Sequence, residues 1–172
     1  MNSLETISLD DGKEITIHYD QDCKSPNHDD SGVKIVILHR RYSDPANGSC
    51  GKDSESVDEW CAENSAEWFI QPLFMYDHSG VALSSSPFSC PWDSGQVGII
   101  ALKRSEWAPE ATEEQLSNWA ASVASEYGQW MNGECYGYIL RDSEGNEIDS
   151  CWGFIGFEYA KECALQSAQD NT

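Results

Sequence analysis

The residues best suited to chemistry lie in the middle of the chain. Within 18 positions the sequence places Asp77, His78, Ser79, Cys90, Asp93 and Ser94. A thiol or hydroxyl nucleophile, an imidazole base and a carboxylate that orients the base form the general set for covalent catalysis. His78 and Cys90, with Asp93 as the carboxylate, are therefore the candidate catalytic residues, and His39 is an alternative base.

Two observations weaken the catalytic interpretation of this cluster. The sequence has no Gly-x-Ser-x-Gly elbow, and adjacent side chains on a strand point to opposite faces of the sheet. The runs 78–80 and 92–95 are also typical of turns, in which Asp and Ser side chains bond the local backbone. We therefore favour a structural turn, anchored in the core by Phe88 and Trp92, over a binding surface or a catalytic site.

Hydrophobic patterning predicts the elements that must position this cluster. Residues 4–9 and 14–19 alternate around a turn and predict an N-terminal hairpin within residues 1–20. The apolar run 33–38 is the best candidate for a central strand, and further strands are expected over 69–76, 81–85 and 97–102. A second hairpin is expected over 135–140 and 147–154. The polar stretches 20–32 and 43–52 predict loops.

Three helices complete the prediction. Residues 54–68 place Val57, Trp60 and Trp68 on one face, and the opposite side is acidic. Residues 112–131 form an amphipathic helix with a Thr112–Gln115 capping box, and Gly133 is placed to end it. A short helix follows over 157–167. The fold class is therefore α+β, with a mixed or antiparallel sheet, two or three packed helices and a single domain over residues 1–172.

Composition narrows the possible partners. Thirty acidic residues against ten basic ones give a net charge of −20, yet the chain carries seven Trp, seven Tyr and five Phe. Disordered acidic chains are poor in aromatic residues, so this chain should fold into a compact body with a strong negative field. Such a field repels nucleic acid and anionic membranes and attracts basic proteins. We expect no direct nucleic-acid partner and no membrane partner.

Other sequence features define further expectations about location and ligands. The chain has no apolar run long enough to span a membrane, and residues 1–20 lack the features of a signal peptide, so we expect a cytoplasmic protein. No nucleotide-binding or metal-binding motif is present, and we predict no cofactor and no metal. The seven cysteines include no Cys-x-x-Cys, and most are expected to be buried thiols.

The carboxylates concentrate in the helix predicted over 54–68. Glu55, Glu59, Glu63 and Glu67 are spaced by four and would rise along one side at intervals of about 6 Å. A solvated helix face is the simpler interpretation, but a rigid row of carboxylates could also imitate the phosphates of a duplex edge. The candidate partner-binding residues are Asp53, Glu55, Asp58, Glu59, Glu63 and Glu67, with Glu110, Glu113 and Glu114 as a second patch.

Only two basic pairs occur in the chain. Arg40–Arg41 and Lys103–Arg104 each follow a predicted central strand. We expect them to pair with carboxylates within the chain, and a small anion site is the alternative.

Several motifs together resemble a known group of proteins. The runs are Tyr76–Gly80, Pro87–Gly98, His39–Tyr42, Tyr136–Tyr138 and Asp149–Phe154. They are similar to a family of small acidic proteins found in phages, plasmids and other bacterial mobile elements. The resemblance covers most of the chain after residue 33 and implies a mobile-element origin and the cytoplasm of a bacterial host. It transfers no catalytic residue, and the acidic segment between Tyr42 and Trp68 is longer here than in that family.

These features lead to one favoured function and two alternatives. The favoured function is inhibition of a host DNA-binding defence protein, such as a CRISPR effector or a restriction enzyme, whose basic channel the acidic surface would occupy as a DNA mimic. The second is a small enzyme or ligand-binding module built around His78, Cys90 and Asp93. The third is an accessory protein of phage development.

Overall fold

The computed structural model describes residues 3–26, 32–42, 50–51, 53–90, 92–107 and 110–171. Their strands are β1 (Glu5–Ser8), β2 (Glu14–Tyr19), β3 (Val33–Ile37), β4 (Trp68–Asp77), β5 (Val81–Ser84), β6 (Ser94–Lys103), β7 (Cys135–Arg141) and β8 (Glu147–Ile155). Their helices are α1 (Ser54–Asn64), α2 (Glu113–Met131) and α3 (Phe157–Asp170). None of these helices is both long and apolar enough to cross a membrane.

The first of two compact units comprises residues 1–24 and 129–172. Its sheet has the order β1-β2-β7-β8, and all neighbouring strands are antiparallel. Ile15, Ile17 and Leu140 are completely buried on one face of this sheet. The helix α3 covers that face with alanines at every fourth position, Ala160, Ala164 and Ala168. Because alanine side chains are small, the helix axis can approach the sheet closely.

The second unit comprises residues 25–128 and contains a sheet of order β3-β6-β4-β5, again antiparallel throughout. On one face, Val57 of α1 packs with Val36 and Ile99. On the other face, α2 contacts β4, where the Gln71 amide donates to Ser117 Oγ over 3.0 Å, and Gly128 of α2 lies against Val81 and Leu83 of β5. A helix therefore lies on each face of this sheet.

The predicted α+β class is confirmed, with two four-stranded antiparallel sheets and three helices. Both predicted hairpins form, as β1–β2 and β7–β8. Thr112 and Gln115 exchange the two hydrogen bonds of the predicted capping box, and α2 ends just before Gly133, whose φ is +74°. The predicted loops over 20–32 and 43–52 include residues 27–31, 43–49 and 52, which lie outside the described residues.

The prediction that residues 33–38 form a central strand is wrong, because β3 lies at the edge of its sheet. The run is apolar because helices cover both faces of the sheet, and Ile35 and Val36 are almost completely buried. A strand that is buried on both faces has a continuous apolar run whether it lies at the centre or at the edge of the sheet.

The acidic helix is shorter than predicted, since α1 ends at Asn64 and not at residue 68. The Asn64 side-chain amide donates to the carbonyl of Trp60, and the Glu67 N–H closes a turn onto the carbonyl of Asn64. Trp68 then begins β4, where it is buried and meets Trp60 edge-on at a ring distance of 5.6 Å. The pairing of β4 with β6 therefore takes Trp68 out of the helix.

Candidate functional site

The exposed side of α1 carries the acidic row. Glu55, Glu59 and Glu63 are exposed, and within the described part of the chain none of them forms an ion pair with a cation. Their common side is fixed because Val57, on the opposite side of α1, is buried in the core. Asp58 is also exposed, next to this row. The helix therefore presents carboxylates that no described cation neutralises.

Glu67 does not belong to this row, which corrects the prediction from its spacing. It lies in the turn after α1, and its carboxylate is 3.6 Å from Lys103 Nζ. Spacing by four places residues on one side only while the helix continues, and this helix ends three residues earlier. Glu67 is therefore partly neutralised.

Asp53 has a structural role at the start of α1. Its carboxylate accepts the N–H of Ser56 at 2.9 Å and the hydroxyl of Ser56 at 2.7 Å. The Ser56 N–H donor is the main reason that the pKa of Asp53 lies below its ordinary value. This is a capping box, and an aspartate followed three residues later by a serine before an apolar helical face is the signal that could have revealed it.

The second acidic patch is divided in the same way. Glu113 and Glu114 lie in the first turn of α2, where the helix dipole favours negative charge, and Glu110 is exposed just before it. Arg104 donates to the Glu113 carboxylate over 2.8 Å. Within this second patch, Glu110 and Glu114 form no ion pair with a described residue, whereas Glu113 does.

The basic pairs mostly form internal ion pairs, as predicted. Lys103 lies between Glu67 and Glu106, Arg104 pairs with Glu113, and Arg41 pairs with Asp77 at 3.1 Å. Within the described residues, Arg40 forms no ion pair and is exposed. The described arginines and lysines therefore do not offset the α1 row.

The structure brings the predicted catalytic residues together at the end of the β4–β6 ladder. The Asp93 carboxylate lies 3.4 Å from His78 Nδ1 and 3.9 Å from Cys90 Sγ, and the same oxygen, Oδ2, makes both contacts. His78 also stacks on Tyr76 at a ring distance of 6.0 Å. The hydroxyl of Ser94 donates to the carbonyl of Cys90 and fixes the turn. Cys90, Asp93 and His78 therefore form one small cluster.

The order of contacts within this cluster does not suit nucleophilic catalysis. In a catalytic triad the base lies between the nucleophile and the carboxylate, so that the base can remove the proton of the nucleophile. Here Asp93 lies in the middle, and the Cys90 thiol donates toward a carboxylate. The side chain of His78 is also 63% exposed, so the cluster is not shielded from water.

The side chains of Asp77 and His39 contact Arg41 and Tyr42, and not His78. Asp77 accepts a hydrogen bond from Arg41. Burial, and to a lesser extent a hydrogen bond with Asp77, raises the pKa of the Tyr42 phenol. His39 stacks on Tyr42 at 5.1 Å. Neither residue therefore supports His78.

Trp92 departs most clearly from prediction. The sequence predicted that Phe88 and Trp92 would both anchor the turn in the core. Phe88 does pack against Tyr76 at a ring distance of 5.8 Å, but Trp92 is 91% exposed. It borders a depression of about 400 Å³ whose lining includes Met75, Asp93 and Val97. The sequence contains no signal for this exposure, because an aromatic residue in a turn usually packs inward.

A second depression, of about 600 Å³, lies in the first unit between the loop after β2 and the strand β8. It is bordered by Tyr19, Asp20, Asp22 and Trp152. Among the described residues, no three His, Cys, Asp or Glu side chains lie close enough together to hold a metal ion. Like the depression beside Trp92, this one is bordered by aromatic and acidic residues.

The expectation that most cysteines are buried is wrong. All seven are free thiols; Cys50 and Cys135 are buried, Cys151 is exposed, and the other four are half-buried. Burial raises the pKa of Cys135 to about 12 and also raises that of Cys61. Cys151 lies on the edge strand β8, where Ser150 and Trp152 on either side of it are exposed as well.

No protein-family model, no curated protein and no solved structure matches this chain. The function must therefore be argued from the described surface alone.

Proposed function

We propose that this chain is an inhibitor carried by a bacterial mobile element, which acts in the host cytoplasm on a DNA-binding defence protein such as a CRISPR effector or a restriction enzyme. Its acidic surface occupies the basic channel of that protein and competes with DNA by steric and electrostatic means. The observation that carries the proposal is the exposed row of Glu55, Glu59 and Glu63 on α1, which has no cation partner among the described residues.

The geometry of α1 supports mimicry of a nucleic-acid edge. Residues four apart on a helix rise by about 6 Å, which lies between one and two of the axial steps of about 3.4 Å that separate charges on one DNA strand. The row is held rigidly, because Val57 packs into the core and Asp53 caps the helix. A rigid row loses little conformational entropy on binding, which favours affinity.

The distribution of ion pairs gives further support. A row of like charges four residues apart destabilises a helix by a few tenths of a kcal/mol per pair. Neutralising that row with lysines would be the simple remedy, yet Lys103, Arg104 and Arg41 pair with carboxylates outside it. A destabilising row without local cations is what a surface for a basic partner requires.

The test compares two variants of equal charge. In one, Glu55, Glu59 and Glu63 are all replaced by Gln; in the control, Glu126, Glu144 and Glu162, which are exposed and form no ion pair among the described residues, are replaced by Gln. Each tagged protein is used to capture partners from bacterial lysate at about 50 mM and about 500 mM NaCl, because salt screens exposed charges.

We expect wild type and control to capture the same DNA-binding protein at low salt, and to release it at high salt or when duplex DNA is added. The α1 variant should bind that protein at least about tenfold more weakly, because the three carboxylates that attract the basic channel are lost. Equal binding of the captured protein by the α1 variant and the control would contradict the proposal.

A further inference from the structure

The sheet of the second unit has a gap in its edge. β3 ends at Ile37, which pairs with Gly98, and the last bond on that side runs from the Leu38 N–H to the carbonyl of Val97 over 2.7 Å. β6, however, extends back to Ser94. On the β3 side, therefore, residues 94–96 of β6 have no strand partner within the described parts of the chain. Open strand edges of this kind accept an added extended segment.

Two depressions meet at this open edge. One, of about 400 Å³, is bordered by Trp92 and Asp93, and the other, of about 360 Å³, by Leu38 and Asp58; Gln96 and Val97 line both. We call this combined feature the Trp92 groove. It connects the turn after β5 with the beginning of α1, so it is continuous with the acidic surface of that helix.

The groove offers an exposed aromatic anchor. Trp92 is 91% exposed, and Leu38, at 36% exposure, adds a second apolar side chain. Tryptophan is among the residues most enriched at the energetic centres of protein interfaces. The face of its indole ring also attracts cations, and arginine more often than lysine.

The charges around the groove favour a basic occupant. Asp77 and Asp93 lie at one end, and Asp58 lies at the other with Glu55 one turn of α1 earlier. Among the described lysines and arginines, the one that pairs with a carboxylate of the groove is Arg41. Arg41 already binds Asp77 at 3.1 Å and lies 5.5 Å above the ring of Tyr42. At the border of the groove, Asp77 and Tyr42 therefore already bind one guanidinium through a carboxylate and an aromatic ring. An arginine of the partner would use the same combination.

We infer that the Trp92 groove binds an extended, arginine-rich segment of a protein partner. The segment lies along residues 94–96 of β6, with one guanidinium over the Trp92 ring and others near Asp93 and Asp58. This inference rests on the proposed function and specifies which part of the basic partner this unit grips. Main-chain bonds to the strand edge give affinity, and the anchor with its acidic rim gives the preference for arginine.

The test uses a short peptide in which arginine and serine alternate, and a second peptide with lysine in place of arginine. Binding to the whole protein is followed by two-dimensional ¹H–¹⁵N NMR, in which Trp92→Phe assigns the indole resonance of Trp92. We expect the indole of Trp92 and the amides of residues 94–97 to shift, and the arginine peptide to bind more tightly than the lysine peptide.

Trp92→Ala should weaken binding of the arginine peptide by about tenfold or more. The matched control is Tyr159→Ala, which removes an aromatic side chain of 58% exposure from α3 in the other unit. Because both side chains are exposed, both variants should keep the circular dichroism spectrum of wild type, so a loss of binding can be assigned to the groove.

Several outcomes would overturn the inference. One is equal binding of the peptide by the Trp92→Ala and Tyr159→Ala variants, and another is a set of peptide-induced shifts that avoids residues 92–97. A third is a concentration-dependent dimer that the Trp92→Ala substitution abolishes, because a second copy of the chain would then occupy the groove. If the groove fails while the α1 variant still loses its captured partner, the mimic stands without the groove. If the α1 variant keeps its partner while the peptide depends on Trp92, the mimic fails and the groove stands.

Discussion

Asp149 shows how a single carboxylate can be committed to the fold. Its Oδ2 accepts the hydroxyls of Tyr138 at 2.9 Å and Ser167 at 2.5 Å, and so joins β7, β8 and α3. These two donors, Ser167 first, hold the pKa of Asp149 below its ordinary value of 3.8. Asp149 is the first residue of the run Asp149–Phe154, and these contacts give it a structural role.

Replacing Asp149 by Asn should lower the free energy of unfolding by about 1–2 kcal/mol at pH 7, because two charge-assisted hydrogen bonds weaken at a half-exposed site. A carboxylate whose folded pKa is depressed contributes stability above its unfolded pKa and loses it as pH falls through the folded value. The difference between variant and wild type should therefore shrink below about pH 4. Urea unfolding at several pH values measures it.

The exposed Glu144→Gln substitution, which removes a charge without such partners, is the control and should change stability little. A constant difference between Asp149→Asn and wild type from pH 7 to pH 3 would show that the charge of Asp149 contributes nothing.

Single residues also show where prediction from sequence ends. The proximity of Cys90 and Asp93 was predictable, because they share one turn, whereas His78 reaches them through the pairing of β4 with β6. Their order was not, since it depends on rotamers set by the β4–β6 ladder and by the Tyr76 ring. The exposure of Trp92 was equally unpredictable, because nothing in its neighbouring sequence distinguishes an inward from an outward indole.

At the scale of elements, the close approach of β3 and β6 depends on Gly98. A Cβ atom at this position would lie 1.8 Å from the carbonyl oxygen of Val36. Gly98→Ala should therefore push β3 away from β6 and lower the free energy of unfolding by about 3 kcal/mol, the upper part of the usual range for overpacking. Thermal or urea unfolding measures this loss.

Gly95 in the same strand provides the matched control. A Cβ atom there meets nothing within 4 Å, so Gly95→Ala should stay within about 0.5 kcal/mol of wild type. Equal effects of the two substitutions would mean that β3 does not pack against β6 as described.

The elements were largely predictable from periodicity, and the exceptions have physical causes. The turn-flanked hairpins and the capped helix α2 were found because their signals are local. The edge position of β3 was missed because an apolar run reports burial, while strand order depends on pairings between distant residues. The end of α1 was missed because Trp68 fits the helical spacing equally well, and its pairing with Lys103 in β6 decides the outcome.

For the whole molecule, the formal charge of −20 destabilises the folded state through repulsion between like charges. Ion pairs with described basic residues relieve the repulsion at Glu67, Glu106 and Glu113, among other carboxylates, and leave it in place on α1. A soluble domain of this size needs a net charge of only about 2–8 for colloidal stability. The excess therefore lowers stability by self-repulsion, and the proposed basic partner is what would make it useful.

This argument predicts opposite effects of salt on folding and on binding. Raising NaCl from about 10 mM to about 150 mM shortens the Debye length from about 30 Å to about 8 Å, which screens repulsion between exposed carboxylates. The melting temperature of wild type should rise over this range, and it should rise less in the variant with Gln at positions 55, 59 and 63, because three mutually repelling charges are gone. Capture of the partner should weaken over the same range, since screening also removes the attraction between the two proteins. Scanning calorimetry and the capture experiment in matched buffers measure both effects. A melting temperature that falls with added salt would mean that the ion pairs of Lys103, Arg104 and Arg41 outweigh the repulsion, and the acidic surface would then need no partner to explain it.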